Sequence, residues 1–224
     1  MKKYVIVLAC GKGSRMHNDV PKQYILVKSK PLLFHTLERI HGFNNQYSII
    51  TVINQEHTEL FNDLKQRYAL NVPVDVVYGG EERFFSVKNA LDAVTDTDSL
   101  VAIHDGVRPF ADKNMFENGF LTAESLGSAV CAVNATDSVR IIDGKSNFAV
   151  QRQRVFLMQT PQIFRTSLIK QAYNQPYKPQ FTDDASVAES AGMKINIIEG
   201  NRNNIKVTYP IDLHIAEFLL NKTP

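Results

Sequence analysis

Cysteine is scarce in this chain. Its 224 residues include two cysteines, Cys10 and Cys131, whereas small secreted domains that depend on disulfide bonds carry several. A single possible pair is not such a framework. We therefore expect two free thiols and a cytoplasmic location.

A long hydrophobic run and an excess of one charge are also missing. The apolar segment KYVIVLA near the N-terminus is too short for a signal-peptide core, and far short of the roughly 20 residues that span a bilayer. The 25 basic and 23 acidic residues leave a formal net charge of +2, which is ordinary for a globular protein. We expect no membrane anchor and no nucleic-acid partner.

Short β-rich runs alternate with longer amphipathic stretches along most of the chain. The predicted strands are KYVIVLA, SIITVIN, VDVVYGG, SLVAIHD and GSAVCAV, and the predicted helices between them are PLLFHTLERIHGF, HTELFNDLKQRYAL, RFFSVKNALDAV and NMFENGFLTAES. This alternation predicts a three-layer, Rossmann-like α/β fold with a mostly parallel sheet whose strands are apolar on both faces. We expect one domain over residues 1–224.

The alternation stops at about residues 134–157, where short β-prone pieces flank a DGKSN turn. A lone hairpin has a poor core of its own, so this segment is predicted to project as an arm and to pack on a second copy of the chain. The α/β pattern then returns with SLIKQAYN, with a helix capped by Thr182 or Asp183, with the strand KINIIEG and with a last helix from Pro210.

The first polar stretch, CGKGSRMHNDVPKQY, follows the first strand. Gly11 and Gly13 allow backbone N–H groups to approach an anion, and Lys12, Arg15 and Lys22 supply positive charge. The spacing fits neither the Walker A loop nor the dinucleotide fingerprint. The stretch is either a phosphate-binding loop or a tight turn with solvated basic residues.

The second stretch, VAIHDGVRPF, places His104, Asp105 and Arg108 at the end of another strand. A carboxylate there can bind Mg²⁺ or a substrate hydroxyl, and a guanidinium can bind phosphate. The alternative for Asp105 is a turn-capping role, paired with Arg108. His104 is interpreted as a packed residue, because no second His or Cys stands at metal-site spacing.

The third stretch, YGGEERFFSVKNA, follows the strand VDVVYGG. Gly79 and Gly80 permit close contact with a flat ligand such as a base, and Glu81 and Ser86 offer hydrogen-bonding groups. A glycine turn that leads into a helix explains the same residues equally well.

Taken together, the motifs resemble a known family. CGKGSRM, PKQY, GGEERFFSV, HDGVRPF, QTPQIF, FTDDAS and EGNRNNIKVT occur in the order found in 2-C-methyl-D-erythritol 4-phosphate cytidylyltransferases. The resemblance runs from about Val5 to Phe218 and implies the nucleotide-diphospho-sugar transferase-like α/β fold. It also implies that CTP and methylerythritol 4-phosphate are joined with release of pyrophosphate, a step of non-mevalonate isoprenoid synthesis.

The resemblance implies roles for residues on the nucleotide side. Arg15 and Lys22 would contact the CTP phosphates, and Lys22 and Lys206 would flank the α-phosphate, with Mg²⁺ bridging triphosphate oxygens. The residues implied to contact the nucleotide are Cys10, Gly11, Gly13, Gly79, Gly80, Glu81 and Ser86.

On the acceptor side, the resemblance places Asp105 on the polyol hydroxyls, with a secondary role as a metal ligand. Arg108, Arg152 and Thr182 would surround the diol and phosphate. In this family the hairpin arm crosses a two-fold axis, so Arg152 would serve the partner's site. The active form would then be a homodimer that exchanges its arms.

Several positions depart from the family pattern. Cys10 stands where alanine is usual, Glu81 and Asn203 stand where aspartate is common, and HDGVRP replaces HDAARP. HDGVRPF is similar to the ribitol-5-phosphate cytidylyltransferases, whereas FTDDAS and NIKVT look more like the methylerythritol enzymes. The alternatives are therefore a ribitol-phosphate enzyme and a non-catalytic nucleotide-binding protein.

Overall fold

The computed structural model describes residues 1–11 and 20–222. The strands are β1 (Lys2–Ala9), β2 (Leu26–Val27), β3 (Lys30–Pro31), β4 (Ser48–Ile53), β5 (Asp75–Tyr78), β6 (Ser99–Asp105), β7 (Ser128–Asn134), β8 (Val139–Asp143), β9 (Ser146–Val150), β10 (Phe156–Arg165) and β11 (Ile197–Glu199). The helices are α1 (Leu32–Phe43), α2 (Thr58–Arg67), α3 (Arg83–Ala93), α4 (Lys113–Leu126), α5 (Thr166–Ala172), α6 (Asp184–Ser190) and α7 (Pro210–Lys222). Single 3₁₀ turns lie at Lys22–Tyr24, Gln55–His57 and Arg152–Arg154.

A seven-stranded sheet forms the middle layer, in the order β11-β7-β10-β6-β1-β4-β5. Strand β10 runs antiparallel to both of its neighbours, and the other pairs of this sheet are parallel. The prediction of a mostly parallel sheet is confirmed. The carboxyl ends of β1, β4, β5 and β6 consequently meet at one edge, which is where ligands bind in open α/β sheets.

Helices cover both faces of the sheet because its central strands are apolar on both sides. One apolar cluster joins the sheet to α1, α2 and α4, and a second joins it to α3, α5 and α6. The predicted three layers are therefore confirmed. Strand β5 differs from the prediction, because Val76 and Tyr78 are exposed where β5 forms one edge of the sheet.

The helix that follows FTDDAS has a well-defined start. The Asp183 side chain accepts a hydrogen bond from the Ser186 N–H at 2.9 Å, and the Ser186 hydroxyl accepts one from the Asp183 N–H at 3.2 Å. This reciprocal pair is a capping box. Asp183, and not Thr182, is therefore the N-cap of α6.

The predicted hairpin is present as a separate two-stranded sheet, β8-β9. Its bounds are narrower than expected, because Asn134 still pairs with Phe156 between β7 and β10. We call residues 135–155 the arm. Its Ile141, Ile142 and Phe148 side chains are exposed, so it has little apolar contact within its own chain.

No helix in the described ranges, residues 1–11 and 20–222, is both long enough and apolar enough to cross a membrane.

Candidate active site

A cavity of about 910 Å³ opens at the carboxyl ends of β1, β4, β5 and β6. It brings together residues from all three polar stretches of the sequence analysis. The site residues predicted from the sequence that line it are Cys10, Gly11, Lys22, Gly79, Gly80, Glu81, Ser86, Asp105 and Lys206.

Asp105 forms the anionic centre of this cavity. Its Oδ2 atom lies 3.0 Å from Lys206 Nζ and 3.2 Å from Arg108 Nε. Burial by itself raises the pKa of Asp105, but attraction to Lys206, Arg83 and Arg108 outweighs that effect and holds the pKa well below its ordinary value. Asp105 is therefore permanently ionised. It is paired with Arg108, as the turn-capping alternative predicted, and it also lines the cavity.

His104 supports Asp105 from behind. Its Nδ1 atom lies 3.1 Å from Thr160 Oγ1, and its Nε2 atom lies 3.0 Å from the Arg108 carbonyl oxygen. The same Thr160 hydroxyl accepts the Asp105 N–H at 3.0 Å. Burial lowers the pKa of His104 to about 4, so the ring is neutral at pH 7 and holds the strand end in place. Its interpretation as a packed residue is confirmed.

Lys22 and Lys206 meet at one corner of the cavity. Lys22 Nζ donates to the carbonyl oxygen of Val207, the residue after Lys206, at 3.3 Å. The turn that carries Lys22 is tied to the end of β1, because Gln23 Nε2 donates to the Ala9 carbonyl oxygen at 2.7 Å. Two ammonium groups that are far apart in sequence are therefore held on the same wall.

The glycine loop between β5 and α3 is shaped by its own packing. A Cβ on Gly79 would lie 2.7 Å from Cys10 Cβ, and one on Gly80 would lie 2.5 Å from Phe85 Cβ. Ser86 Oγ accepts the Gly80 N–H at 3.0 Å and donates to the Glu82 carbonyl oxygen at 3.0 Å. The loop is thus a glycine turn that leads into α3, as the alternative interpretation predicted, and it also lines the cavity.

Other predicted residues lie away from the cavity wall or outside the described residues. Arg108 lies behind Asp105 and donates to the Asn204 carbonyl oxygen at 2.8 Å. Thr182 is exposed just before α6. Arg152 lies on the arm, where its NH1 donates to the Thr136 carbonyl oxygen at 2.9 Å. The predictions for Lys12, Gly13 and Arg15 fall outside the described residues.

Two parts of the cavity wall were not predicted from the sequence. Residues 54–56 follow β4 and line the cavity, and the rule that ligands bind at the carboxyl ends of parallel strands would have found them. Arg83 also lines it, and it forms two hydrogen bonds with Asp184, at 2.8 and 2.6 Å. No local pattern predicts that pair, because its members lie 101 residues apart.

Metal-binding groups are sparse on the protein side. Across the described residues, no group of three or more His, Cys, Asp and Glu side chains is arranged to hold a metal ion. Asp105 is a carboxylate on the cavity wall, but Lys206 and Arg108 already compensate its charge.

Comparison with known proteins decides the family. The family model described as 2-C-methyl-D-erythritol 4-phosphate cytidylyltransferase matches residues 3–222. The chain belongs to this family. A cytidylyltransferase of that name from Bacteroides thetaiotaomicron is 41% identical over 220 residues, which cover 98% of this chain and 100% of the relative. Another from Porphyromonas gingivalis is 40% identical over 220 residues, covering 98% of each chain.

Solved structures of the cytidylyltransferase family agree with the fold. The 4-diphosphocytidyl-2C-methyl-D-erythritol synthase of Anaerococcus prevotii superimposes with a TM-score of 0.83 at 30% identity, covering 98% of this chain and 96% of that one. The Francisella tularensis cytidylyltransferase gives a TM-score of 0.79 at 30% identity, covering 97% and 99%. The resemblance found in the sequence motifs is confirmed over nearly the whole chain.

Proposed function

We propose that this chain joins CTP to 2-C-methyl-D-erythritol 4-phosphate, forming 4-diphosphocytidyl-2-C-methyl-D-erythritol and releasing pyrophosphate. Membership of the cytidylyltransferase family supports the reaction. The observation that carries the proposal in the structure is the corner where Lys22, Lys206 and Asp105 meet at the sheet edge. That corner offers fixed positive charge for a polyphosphate beside a carboxylate suited to hydroxyl groups.

The reaction needs positioning and charge stabilisation more than acid–base chemistry. A phosphate oxygen of the acceptor attacks the α-phosphorus of CTP in line, and the bond between the α-phosphorus and the α,β-bridging oxygen breaks, so that pyrophosphate leaves. Negative charge spreads over the equatorial oxygens as this happens. We assign Lys22 and Lys206 to those oxygens, because preorganised cations act most strongly where charge develops in the transition state. Arg15 is proposed as a further phosphate contact.

The cytidine is proposed to lie against the loop at Gly79 and Gly80. This loop, Glu81 and Ser86 line the side of the cavity that faces Cys10 and Gly11. Main-chain groups at glycines can approach a flat base closely, because no Cβ intervenes. Ser86 shapes this surface, since its hydroxyl already binds the main chain of the loop.

The acceptor is proposed to lie between Asp105 and Thr182. The ionised Asp105 accepts hydrogen bonds from polyol hydroxyls, and Arg108 fixes its orientation from behind. Thr182 and the partner's copy of Arg152 are proposed as contacts to the diol and phosphate. The relatives reported above carry the methylerythritol name, which gives no support to the ribitol-phosphate alternative.

Mg²⁺ is proposed to enter together with the triphosphate of CTP. It takes oxygen ligands, commonly one or two carboxylates plus substrate phosphates, and Asp105 is such an oxygen donor on the cavity wall. Asp105 is already paired with Lys206 and Arg108, so the triphosphate would supply most ligands. When bound, the ion neutralises charge on the phosphate oxygens.

The arm is proposed to complete the site of a second copy in a homodimer. Support comes from its exposed apolar side chains, Ile141, Ile142 and Phe148, which a partner would cover. Arg152 lies near the C-terminal end of the arm, just before β10, and does not line the cavity of its own chain. A cytoplasmic location is also proposed, consistent with the free thiols of Cys10 and Cys131.

Pyrophosphate release tests the reaction. The purified chain is incubated with CTP, Mg²⁺ and either methylerythritol 4-phosphate or ribitol 5-phosphate. We expect turnover with the methylerythritol substrate and a value of kcat/KM lower for ribitol 5-phosphate by roughly 10²-fold or more. The proposal would be overturned by turnover with ribitol 5-phosphate but not with methylerythritol 4-phosphate. It would also be overturned by CTP binding without turnover of either acceptor.

A further inference from the structure

Arg83 and Asp184 form a partly buried pair for which the reaction just described has no use. Arg83 NH1 donates to Asp184 Oδ1 at 2.8 Å, and NH2 donates to Oδ2 at 2.6 Å. The Tyr173 hydroxyl adds a third hydrogen bond to Oδ1 at 2.7 Å. Asp184 is fully buried, whereas the Arg83 side chain is 29% exposed and lines the cavity. A two-bond pair of this kind fixes distance and orientation together.

The pair joins the starts of two helices. Arg83 is the first residue of α3, directly after the glycine loop that lines the nucleotide side of the cavity. Asp184 is the first residue of α6, directly after Thr182 and the N-cap Asp183. The two segments that precede these helices are the ones proposed to hold the nucleotide and the acceptor.

Arg83 lies on the wall of the same cavity as Asp105. Its attraction contributes to holding the pKa of Asp105 below the ordinary range. Burial lowers the pKa of Arg83 itself, but Asp184 more than reverses that effect and keeps the guanidinium charged. Arg83 is therefore a fixed cation on the cavity wall whose position is set by Asp184.

Stability alone is a weak reason for such a pair. Buried ion pairs can often be replaced by apolar residues of similar size with little or no loss of stability, because burying two charges costs about as much as their attraction returns. A role in positioning the reactants explains the pair better, since in-line transfer loses roughly 10²-fold in rate when the reactants are misplaced by about 1 Å.

We propose that the Arg83–Asp184 pair is a positioning device that holds the nucleotide side of the site in register with the acceptor side. The inference rests on the proposed function. Arg83 acts through the loop that precedes it and Asp184 through the segment that contains Thr182, so both are positioning residues.

The test replaces the whole polar group at once. In the variant Arg83→Met/Tyr173→Phe/Asp184→Leu, no member of the group is left buried without its partner. We expect a melting temperature within about 5 °C of wild type. We expect kcat to fall by roughly 10- to 100-fold, while KM for CTP and KM for the acceptor each change less than about threefold.

Two control variants separate positioning from other effects. Tyr173→Phe keeps both bonds of the pair and should keep kcat within about threefold of wild type. The exposed pair Lys113–Glu117 on α4 provides a matched control, and Lys113→Gln/Glu117→Gln should change neither kcat nor KM. A kcat of the triple variant close to wild type would overturn the inference. So would a rise in KM for CTP alone, which would make Arg83 a nucleotide contact.

A second readout does not depend on turnover. Amide hydrogen exchange of the unliganded protein should become faster in residues 79–86 and residues 182–187 together in the triple variant, with β1 and β6 unchanged. Unchanged exchange in either segment would overturn the inference. If the wild-type chain shows no turnover, the proposed function fails, and the exchange result still decides whether the pair holds the two segments.

Discussion

Two ammonium groups at one corner of the cavity carry much of the proposed chemistry. Lys22 is held there by the carbonyl oxygen of Val207, and Lys206 by Asp105. An ammonium group has three N–H donors, and each of these contacts uses one of them. Each lysine can therefore bind a phosphate oxygen without losing its anchor.

Replacement of Lys22 tests this assignment. In Lys22→Ala, kcat should fall by roughly 10²-fold or more, whereas the Kd for CTP should rise far less, since the ammonium acts mainly on charge that develops in the transition state. Steady-state kinetics and titration calorimetry measure the two quantities. Lys194→Ala, at an exposed lysine, is the matched control and should behave as wild type. Equal losses in kcat and CTP affinity would contradict the role.

His104 predicts how stability depends on pH. Its pKa in the folded chain is about 4, against an ordinary value of 6.5, so the unfolded chain takes up the proton first as the pH falls. The contribution of the neutral ring is fully present above about pH 6.5 and is lost progressively towards pH 4, by about 3 kcal/mol in total.

Urea unfolding between pH 4.5 and 7 measures this dependence. The free energy of unfolding of wild type should fall as the solution is acidified through this range. The slope should be shallower in His104→Gln, whose amide can still donate to the Arg108 carbonyl oxygen. Identical slopes in the two proteins would mean that another group is responsible.

At the scale of elements, the active cavity is built by chain segments that follow strands. β1, β4, β5 and β6 end at the same edge of the sheet because they run parallel. The loop after β5 is closely packed, since Cys10 and Phe85 occupy the space that side chains on Gly79 and Gly80 would need. Its shape therefore depends on the absence of two Cβ atoms.

Alanine at Gly80 should move this loop. The added Cβ would lie 2.5 Å from Phe85 Cβ, so the loop or the start of α3 must shift. We expect KM for CTP to rise by roughly tenfold or more, with a loss of stability of about 1–3 kcal/mol. Kinetics and thermal unfolding measure the two effects.

Gly42 is the matched control for the alanine substitution. It lies in α1, and a Cβ there would meet nothing within 4 Å. Gly42→Ala should stabilise the protein by up to about 1 kcal/mol, because alanine favours helix more than glycine does, and should leave the kinetics unchanged. A Gly80→Ala protein with the kinetics of wild type would show that the loop does not hold the nucleotide.

At the scale of the whole molecule, the exposed arm and the cavity raise the question of how many chains make one site. Arg152 lies on the arm, whereas Lys206 lies on the cavity wall of the same chain. If the arm serves a partner, the two residues belong to different sites of a dimer. Substitutions at the two positions would then damage separate sites when they are carried by separate chains.

Mixed dimers test this arrangement. Arg152→Ala and Lys206→Ala should each be nearly inactive, and a mixture of the two should regain up to about one quarter of wild-type activity after subunit exchange, because one site of each mixed dimer is intact. Exchange is verified by mass measurement of the intact complexes. Absence of recovery after verified exchange would contradict a shared site, as would a monomer that is fully active.

Much of the fold followed from the sequence because its signals are local. The runs KYVIVLA and SLVAIHD became the buried strands β1 and β6, and Pro210 opens α7 as expected. The reversed direction of β10 and the exposure of β5 were not predicted. Strand direction and edge position depend on which strands become neighbours, and no local pattern contains that information.

The sequence by itself determined the α/β class, the family and nine of the residues on the cavity wall, because ordered motifs at strand ends are visible one residue after another. Tertiary structure alone decided that Asp105 is shared between Lys206 and Arg108, that Lys22 and Lys206 lie at one corner, and that Arg83 is paired with Asp184. These contacts join residues up to 185 positions apart. They exist because parallel strands bring distant chain segments to one edge of the sheet, and only the packed fold specifies which side chains meet there.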